Sequence, residues 1–349
     1  MPQLLALWLQ LFHEQRREDQ LRIERSTMKA IQVERAGGPE VMRLADIPVP
    51  APKANEAVVK VAAAGVNAID AQFRDGVFKT PLPFVPGQEG AGVVTATGPG
   101  VKCLKVGDRV AWSGTLGSYA EYVSGLAESK VPVPDAVSDQ DAAAVMLQGL
   151  TAHYLCHDAY KLKPGDTALV HAAAGGVGLL VVQMAKNMGA RVIGTVSSEE
   201  KRQYAREAGA DEVIVFTQTD FEAETKRLTN GKGVDVVYDG VGKATFEKGL
   251  NVLRPRGMLV LFGSSSGPVP PVDPVTLSEK GSLYMARTTL AHFTATREEL
   301  VARSSEIFAM IVSGSLKPRI AKTYPLAEAP QAHRDLETRK VTGKLLLVP

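Results

Sequence analysis

Residues 166–194 read DTALVHAAAGGVGLLVVQMAKNMGARVIG, and the order of residue types in this stretch decides the fold. An apolar run, Thr167 to His171, enters small residues from Ala172 to Gly178, then a helix-patterned segment from Leu179 to Met188 that stops at Gly189. A second apolar run follows from Arg191 to Val196. Strand, glycine-rich turn, helix and second strand make the βαβ unit in which a dinucleotide pyrophosphate rests on a helix N-terminus. A turn without side chains lets backbone N–H groups approach phosphate oxygens, and the helix dipole favours their negative charge. Read as A-x-G-x-x-G, the pattern uses Ala173, Gly175 and Gly178, with alanine in place of the first glycine.

Strands and helices continue to alternate beyond this unit. Helices are expected at Glu199 to Glu207, Phe221 to Leu228 and Ala244 to Leu253, with strands at Glu212 to Phe216, Val234 to Tyr238 and Met258 to Phe262. This alternation implies a parallel sheet covered on both faces, an α/β doubly wound domain. A proline-rich loop, PVPPVDP, leads to a strand near Ser282 to Ala286, a helix from Arg297 to Ser313 and a closing strand from Lys344 to Val348.

Upstream the pattern is different. Short apolar runs such as Lys29 to Glu34, Val58 to Ala64, Gly92 to Thr97, Arg109 to Trp112 and Ser118 to Val123 are separated by glycine and proline, which predicts a β-rich domain of barrel type. Gly65 to Asp70 reads as an exit into a short helix, and Ser138 or Asp139 caps a helix carrying Ala142 to Leu150 toward Leu155. The domain plan expected is an extension over 1–27, a β-rich domain over 28–150, the dinucleotide domain over 151–286, and a return to the first domain over 287–349.

Composition bounds the function classes. The chain has 349 residues, 45% hydrophobic and 22% charged, and its net charge is +2, so no basic field argues for nucleic acid. Two cysteines, Cys103 and Cys156, suit a reducing cytoplasmic compartment. The apolar run Leu4 to Phe12 has no basic region before it and is far too short to span a bilayer. It is read as a frayed amphipathic extension or sequence upstream of a start at Met28, or else as a membrane-surface attachment through Leu7, Trp8, Leu11 and Phe12.

The choice of nicotinamide cofactor turns on the end of the second strand. An NAD site places an acidic residue there for the ribose 2′-hydroxyl. Here Ser197 and Ser198 occupy the strand end, with Lys201 and Arg202 within reach of a 2′-phosphate and Glu199 and Glu200 partly offsetting their charge. NADPH is therefore the expected cofactor.

Across residues 28–349 the chain resembles the zinc-independent quinone oxidoreductases of the medium-chain dehydrogenase/reductase superfamily, the group that includes ζ-crystallin. The carriers are Gly37-Gly-Pro-Glu40, Gly65-Val-Asn-Ala-Ile-Asp70, Pro86-Gly-Gln-Glu-Gly-Ala-Gly92, Val106-Gly-Asp-Arg-Val110, His171-Ala-Ala-Ala-Gly-Gly-Val-Gly178, Val237-Tyr-Asp-Gly-Val-Gly242, Gly281-Ser-Leu-Tyr284 and Thr342-Gly-Lys-Leu-Leu345. The resemblance implies a GroES-like catalytic domain beside the Rossmann domain, NADPH as electron donor, a quinone acceptor and a homodimer.

It also implies roles for particular residues. Asn67 matches the asparagine near the nicotinamide ribose, Thr151 the helix residue beside the nicotinamide, and Ala174, Gly175, Gly176 and Val177 the pyrophosphate turn. Gly240 and Val241, with Phe262, Gly263, Ser264 and Ser265, match the crest under the nicotinamide; Arg287 and Arg339 match basic residues that close over the cofactor. Phe216 stands where relatives carry a polar group beside the 2′-phosphate, and it can pack on adenosine without donating a hydrogen bond. Gln72, Phe78 and Phe84 are expected to line the acceptor pocket, and no catalytic acid is assigned, because Phe78 replaces a family tyrosine.

No metal is expected. Asn67 and Gln88 stand where zinc-dependent relatives carry cysteine and histidine ligands, and His153 and His157, four apart on a helix, lack the Glu of H-E-x-x-H. Hydride transfer from NADPH to a quinone is the leading expectation. Reduction of an activated C=C bond in 2-alkenals or enoyl thioesters, and a non-catalytic NADPH-binding role of crystallin type, are the alternatives.

Overall fold

The structure, a computed structural model, describes residues 27–339 and 341–349. The readings of Leu4 to Phe12 and its charged sequel lie outside the described residues. By internal contacts the chain divides into two compact units. One holds the described residues up to Val133 with Thr323–Glu337 and Leu345–Pro349; the other holds Pro134–Lys322 and Thr338–Lys344. Residues 134–150 and 287–322 thus cluster with the parallel sheet described below.

In the first unit β1 (Thr27–Val33) pairs antiparallel with β2 (Met42–Pro48). The long strand β3 (Glu56–Val66) then runs into helix α1 (Ala68–Arg74), and β4 (Glu89–Thr97), β5 (Arg109–Ser113), β6 (Tyr122–Leu126) and β7 (Lys130–Pro132) follow. β3 pairs antiparallel with both β4 and β6. Its ladder with β4 shifts register between Val58 and Val59 and between Val61 and Ala63. Such irregularities bend a strand and let a small sheet curl toward a barrel. Strands approach closely there: a Cβ on Gly92 would stand 2.0 Å from the Lys60 carbonyl oxygen. Trp112 and Tyr119 are completely buried in this unit. The strand expected over Ser118 to Val123 begins only at Tyr122, because Gly117 and Ser118 turn their N–H groups to the Gly87 carbonyl instead.

In the second unit α2 (Asp139–Val145) and α3 (Gln148–Tyr154) replace the single helix expected there. Met146 and Leu147 keep helical dihedrals, so only the hydrogen-bond ladder is interrupted. Ser138 is the N-cap, its hydroxyl accepting from the Asp141 N–H at 3.0 Å. Then come β8 (Thr167–Val170), α4 (Gly176–Asn187), β9 (Arg191–Val196), α5 (Glu199–Glu207), β10 (Glu212–Val215), α6 (Phe221–Leu228), β11 (Val234–Asp239), α7 (Phe246–Asn251), β12 (Leu253–Leu261), α8 (Pro274–Glu279) and β13 (Tyr284–Arg287). The strands form one parallel sheet in the order β10-β9-β8-β11-β12-β13. The order reverses at β8, the switch point where doubly wound sheets bind nucleotides. Every residue of β11 is buried, as a strand covered on both faces requires.

The remaining elements are α9 (Arg297–Val312), β14 (Ile320–Pro325), α10 (Ala329–Glu337) and β15 (Lys344–Val348). β15 pairs antiparallel with β3 through Leu345, Leu346 and Leu347. Among the described residues these strands extend the first sheet to the order β14-β15-β3-β4-β5-β7. Two helices, α8 and α10, stand where no element was expected. The α8 helix carries its own start signal, Asp273 as N-cap and Pro274 in the first turn, within the proline-rich stretch.

Candidate functional site

The glycine turn is built as its spacing requires. The backbone leaves β8 through Ala172, whose φ is +51°, and Gly175 returns its N–H to the Ala172 carbonyl at 2.8 Å. Gly175 is then the N-cap of α4, and the first intrahelical bond runs from Leu179 N–H to the Gly175 carbonyl at 2.9 Å. The N–H groups of Gly176, Val177 and Gly178 therefore precede the ladder, at the positive end of a 12-residue helix. One glycine is required by close approach: a Cβ on Gly178 would stand 2.2 Å from the Ala172 carbonyl oxygen, whereas at Gly176 it would meet only the movable end of the Gln148 side chain. Ala174 is buried inside the turn. Thr151, on α3 beside α4, returns its hydroxyl to the Leu147 carbonyl at 2.7 Å.

At the end of β9, Ser197 is exposed and Ser198 caps α5, accepting from the Lys201 N–H at 3.3 Å. Phe216 continues from β10, its N–H on the Val196 carbonyl, and the residue is 49% exposed. Lys201 donates its ammonium to the Arg339 carbonyl, while Arg202 is held by Glu199 at 3.2 Å. Burial and the Arg339 charge press the Lys201 pKa below its ordinary value, and Glu200 opposes them. Arg339 also donates its guanidinium to the Ser265 carbonyl, so this one residue joins the strand-end lysine to the crest.

The crest is clamped from below by Asp239. Its Oδ1 accepts from the N–H groups of Val241 (2.7 Å) and Gly242 (3.0 Å), and its Oδ2 from the Thr245 hydroxyl (2.8 Å). Ser265 N–H reaches the Gly240 carbonyl at 3.2 Å, and a Cβ on Gly263 would stand 2.6 Å from that oxygen. Gly240, Val241 and Phe262 to Ser265 are thereby brought together. Arg287 is exposed and turned back onto the carbonyls of Thr288 (2.9 Å) and Leu261 (3.4 Å).

In the first unit Asn67 closes β3 and opens α1 in a capping box with Asp70. Its Nδ2 donates to Glu89 Oε2 at 2.8 Å and its N–H to Asp70 Oδ2 at 2.9 Å, all three residues being buried. Behind them lies a set of groups the sequence reading missed. Tyr119 Oη donates to Asp70 Oδ2 at 3.1 Å and meets His333 Nε2 at 3.1 Å; Arg74 Nη1 meets His333 Nδ1 at 2.9 Å. Asp70 and Glu89 lay inside motifs already singled out, but His333 is 214 positions from Tyr119 and no local pattern points to it. Burial, with the Arg74 charge beside it, pushes the His333 pKa down to about 3, so the ring is neutral.

Of the expected pocket residues, Phe78 is 43% exposed, sets its ring centroid 5.2 Å from that of Phe73 at a tilt of 39°, and sends its N–H to the Gln72 carbonyl. Phe84 is buried, and its backbone bridges Val33 in both directions.

A zinc ion does not fit the donors present at Asn67 and Gln88, which are neutral amides, with Glu89 occupied by Asn67. One other grouping among the described residues has metal-ligand composition, His153, His157 and Glu306. Its surroundings have the wrong polarity. Arg303 Nη1 points at His153 Nδ1 from 3.3 Å, which leaves Nε2–H to donate to Glu306 at 2.8 Å; a ligating histidine instead needs an acceptor at its second nitrogen.

Comparison with known proteins agrees with this architecture. Residues 53–135 match the family model described as alcohol dehydrogenase GroES-like domain, and residues 176–306 that described as zinc-binding dehydrogenase. The quinone oxidoreductase of Pseudomonas aeruginosa is 46% identical over 92% of this chain and 99% of its own length. A 2-haloacrylate reductase of a Burkholderia species is 40% identical over 91% of this chain and 98% of its own. The crystal structure of Escherichia coli quinone oxidoreductase complexed with NADPH superposes with a TM-score of 0.89 at 43% identity, covering 92% of this chain and all of that one. The chain belongs to the quinone oxidoreductase family of the medium-chain dehydrogenase/reductase superfamily.

Proposed function

We propose that this protein is an NADPH-dependent quinone reductase that delivers hydride to a quinone without zinc. The observation that carries the cofactor is Lys201, which stands at the end of β9 beside Ser197 and Ser198 with a carbonyl, not a carboxylate, on its ammonium. A 2′-phosphate would take that carbonyl's place. The first-turn N–H groups of Gly176, Val177 and Gly178 are assigned to the pyrophosphate, Phe216 to the adenosine, and the crest of Gly240, Val241 and Phe262 to Ser265 to the nicotinamide half. Asn67 is assigned to the nicotinamide ribose, Thr151 to the nicotinamide, and Arg287 and Arg339 to closing over the cofactor.

When bound, NADPH supplies the hydride. The protein's part is to hold the nicotinamide and a flat acceptor in contact and to exclude water. No side chain is assigned as general acid. Gln72, Phe78 and Phe84 are proposed to line the acceptor pocket. A panel of quinones assayed by NADPH oxidation tests the reading, and turnover of enals with no quinone turnover would overturn it. The similarity to a 2-haloacrylate reductase favours one second reading, reduction of an activated C=C bond, because hydride delivery to a conjugated carbon has the same geometry.

The assembly proposed is a homodimer. Strand β13 is an edge of the parallel sheet, with Tyr284 60% and Met285 40% exposed, and an uncovered edge strand of this kind invites pairing with a second copy. No helix among the described residues is long and apolar enough to cross a membrane. We place the protein in the cytoplasm, where the free thiols of Cys103 and Cys156 would stay reduced.

A further inference from the structure

We infer that Tyr119 and His333 are positioning residues, whose hydrogen-bond chain holds the Asn67–Asp70 turn in the conformation that receives the cofactor. The inference rests on the assignment of Asn67 to the nicotinamide ribose.

The direction of every bond in the chain is fixed by its first member. The Arg74 guanidinium can only donate, so His333 Nδ1 accepts and the proton of the neutral ring sits on Nε2. Nε2–H then donates to the Tyr119 oxygen, and Tyr119 O–H donates to Asp70 Oδ2. The same Asp70 oxygen accepts from the Asn67 N–H. Arg74 is anchored in turn by Glu337 at 2.5 Å, Asp75 at 2.5 Å and the Gly37 carbonyl at 2.9 Å.

Tyr119 also supports the other partner of Asn67. Its ring lies so close over Gly87 that a Cβ there would stand 2.3 Å from Cδ1, and its N–H bonds the Pro86 carbonyl at 3.0 Å. Gly87 is two residues before Glu89, which receives the Asn67 side chain. One buried phenol therefore steadies both segments that meet at Asn67. The chain is not a proton relay, because a guanidinium at its outer end does not release its proton. What it supplies is a single geometry in a buried, fully directed polar network.

The test is Tyr119→Phe, which keeps the ring over Gly87 and removes only the hydroxyl. A lost neutral hydrogen bond of about 1 kcal/mol corresponds to a several-fold change in affinity. The dissociation constant of NADPH should rise several-fold while that of 2′,5′-ADP, which lacks the nicotinamide half, stays at the wild-type value. Hydrogen exchange of the amides at 67–70 should quicken, and adding Tyr119→Phe to Asn67→Ala should weaken NADPH no further. His333→Gln is read in the same way if Tyr119→Phe does not fold. Unchanged exchange at 67–70, or equal weakening of NADPH and 2′,5′-ADP, overturns the positioning role. An Asn67→Ala variant that binds NADPH as the wild type does would overturn the Asn67 assignment instead, and the exchange result would still decide the positioning.

Discussion

The side-chain amide of Asn67 donates to the carboxylate of Glu89 across 2.8 Å, with both groups shut away from solvent. That pairing answers the metal question in chemical terms, since the carboxylate is bound to an amide and the neighbouring candidate ligand is the amide of Gln88. Dialysis against a strong chelator should leave NADPH-dependent quinone reduction unchanged, and added zinc should not raise it. Loss of activity on chelation, restored by zinc, would refute this.

The same contact predicts the effect of Asn67→Asp. Two buried carboxylates would then face each other where an amide now bridges, and one of them must bind a proton or the turn must open. A destabilisation of about 3 kcal/mol is expected at neutral pH, on the scale of breaking a buried charged pair, and it should shrink in acid. Denaturant unfolding at pH 7 and pH 5 measures both.

Lys201→Ala should raise the KM for NADPH about tenfold, the scale of one charge-assisted hydrogen bond, and leave that for NADH nearly unchanged. Equal effects on the two cofactors would show that the ammonium does not meet a 2′-phosphate.

His333 predicts a pH dependence of stability. Its folded pKa, pushed down to about 3 by burial and by Arg74, lies below the ordinary value of 6.5. Above that value both folded and unfolded rings are neutral and stability is flat in pH with respect to this group. As pH falls from 6.5 toward 3 the unfolded chain binds a proton that the folded one refuses, so stability declines by up to about 1.4 kcal/mol per pH unit. The slope of unfolding free energy against pH should be smaller in His333→Gln over that range.

Substituting the exposed residues of β13, Tyr284→Lys together with Met285→Glu, should shift the assembly from dimer to monomer in light scattering without altering thermal unfolding of the chain itself. A wild-type protein that is already monomeric would remove the basis for this prediction.

Much of this protein was legible in one dimension. The glycine turn, α4 and β9 occupy nearly the residues their pattern indicated, because strand and helix periods and the need for small residues at a phosphate turn are local requirements. The strand end at Ser197, Ser198 and Lys201 is equally local, since side chains a few residues apart share one loop. Less local features were not legible. The backbone bridge between Val33 and Phe84 joins residues 51 positions apart, and no local pattern signals it. The chain from Arg74 through His333 and Tyr119 to Asp70 could be recognised only after folding. Each of those residues is ordinary in its own sequence neighbourhood, and burial alone turns them into an ordered network, because polar groups removed from water must find partners wherever the fold brings them. The sequence by itself thus determined the parallel sheet and its glycine turn. Tertiary structure decided which buried groups hold Asn67 in place.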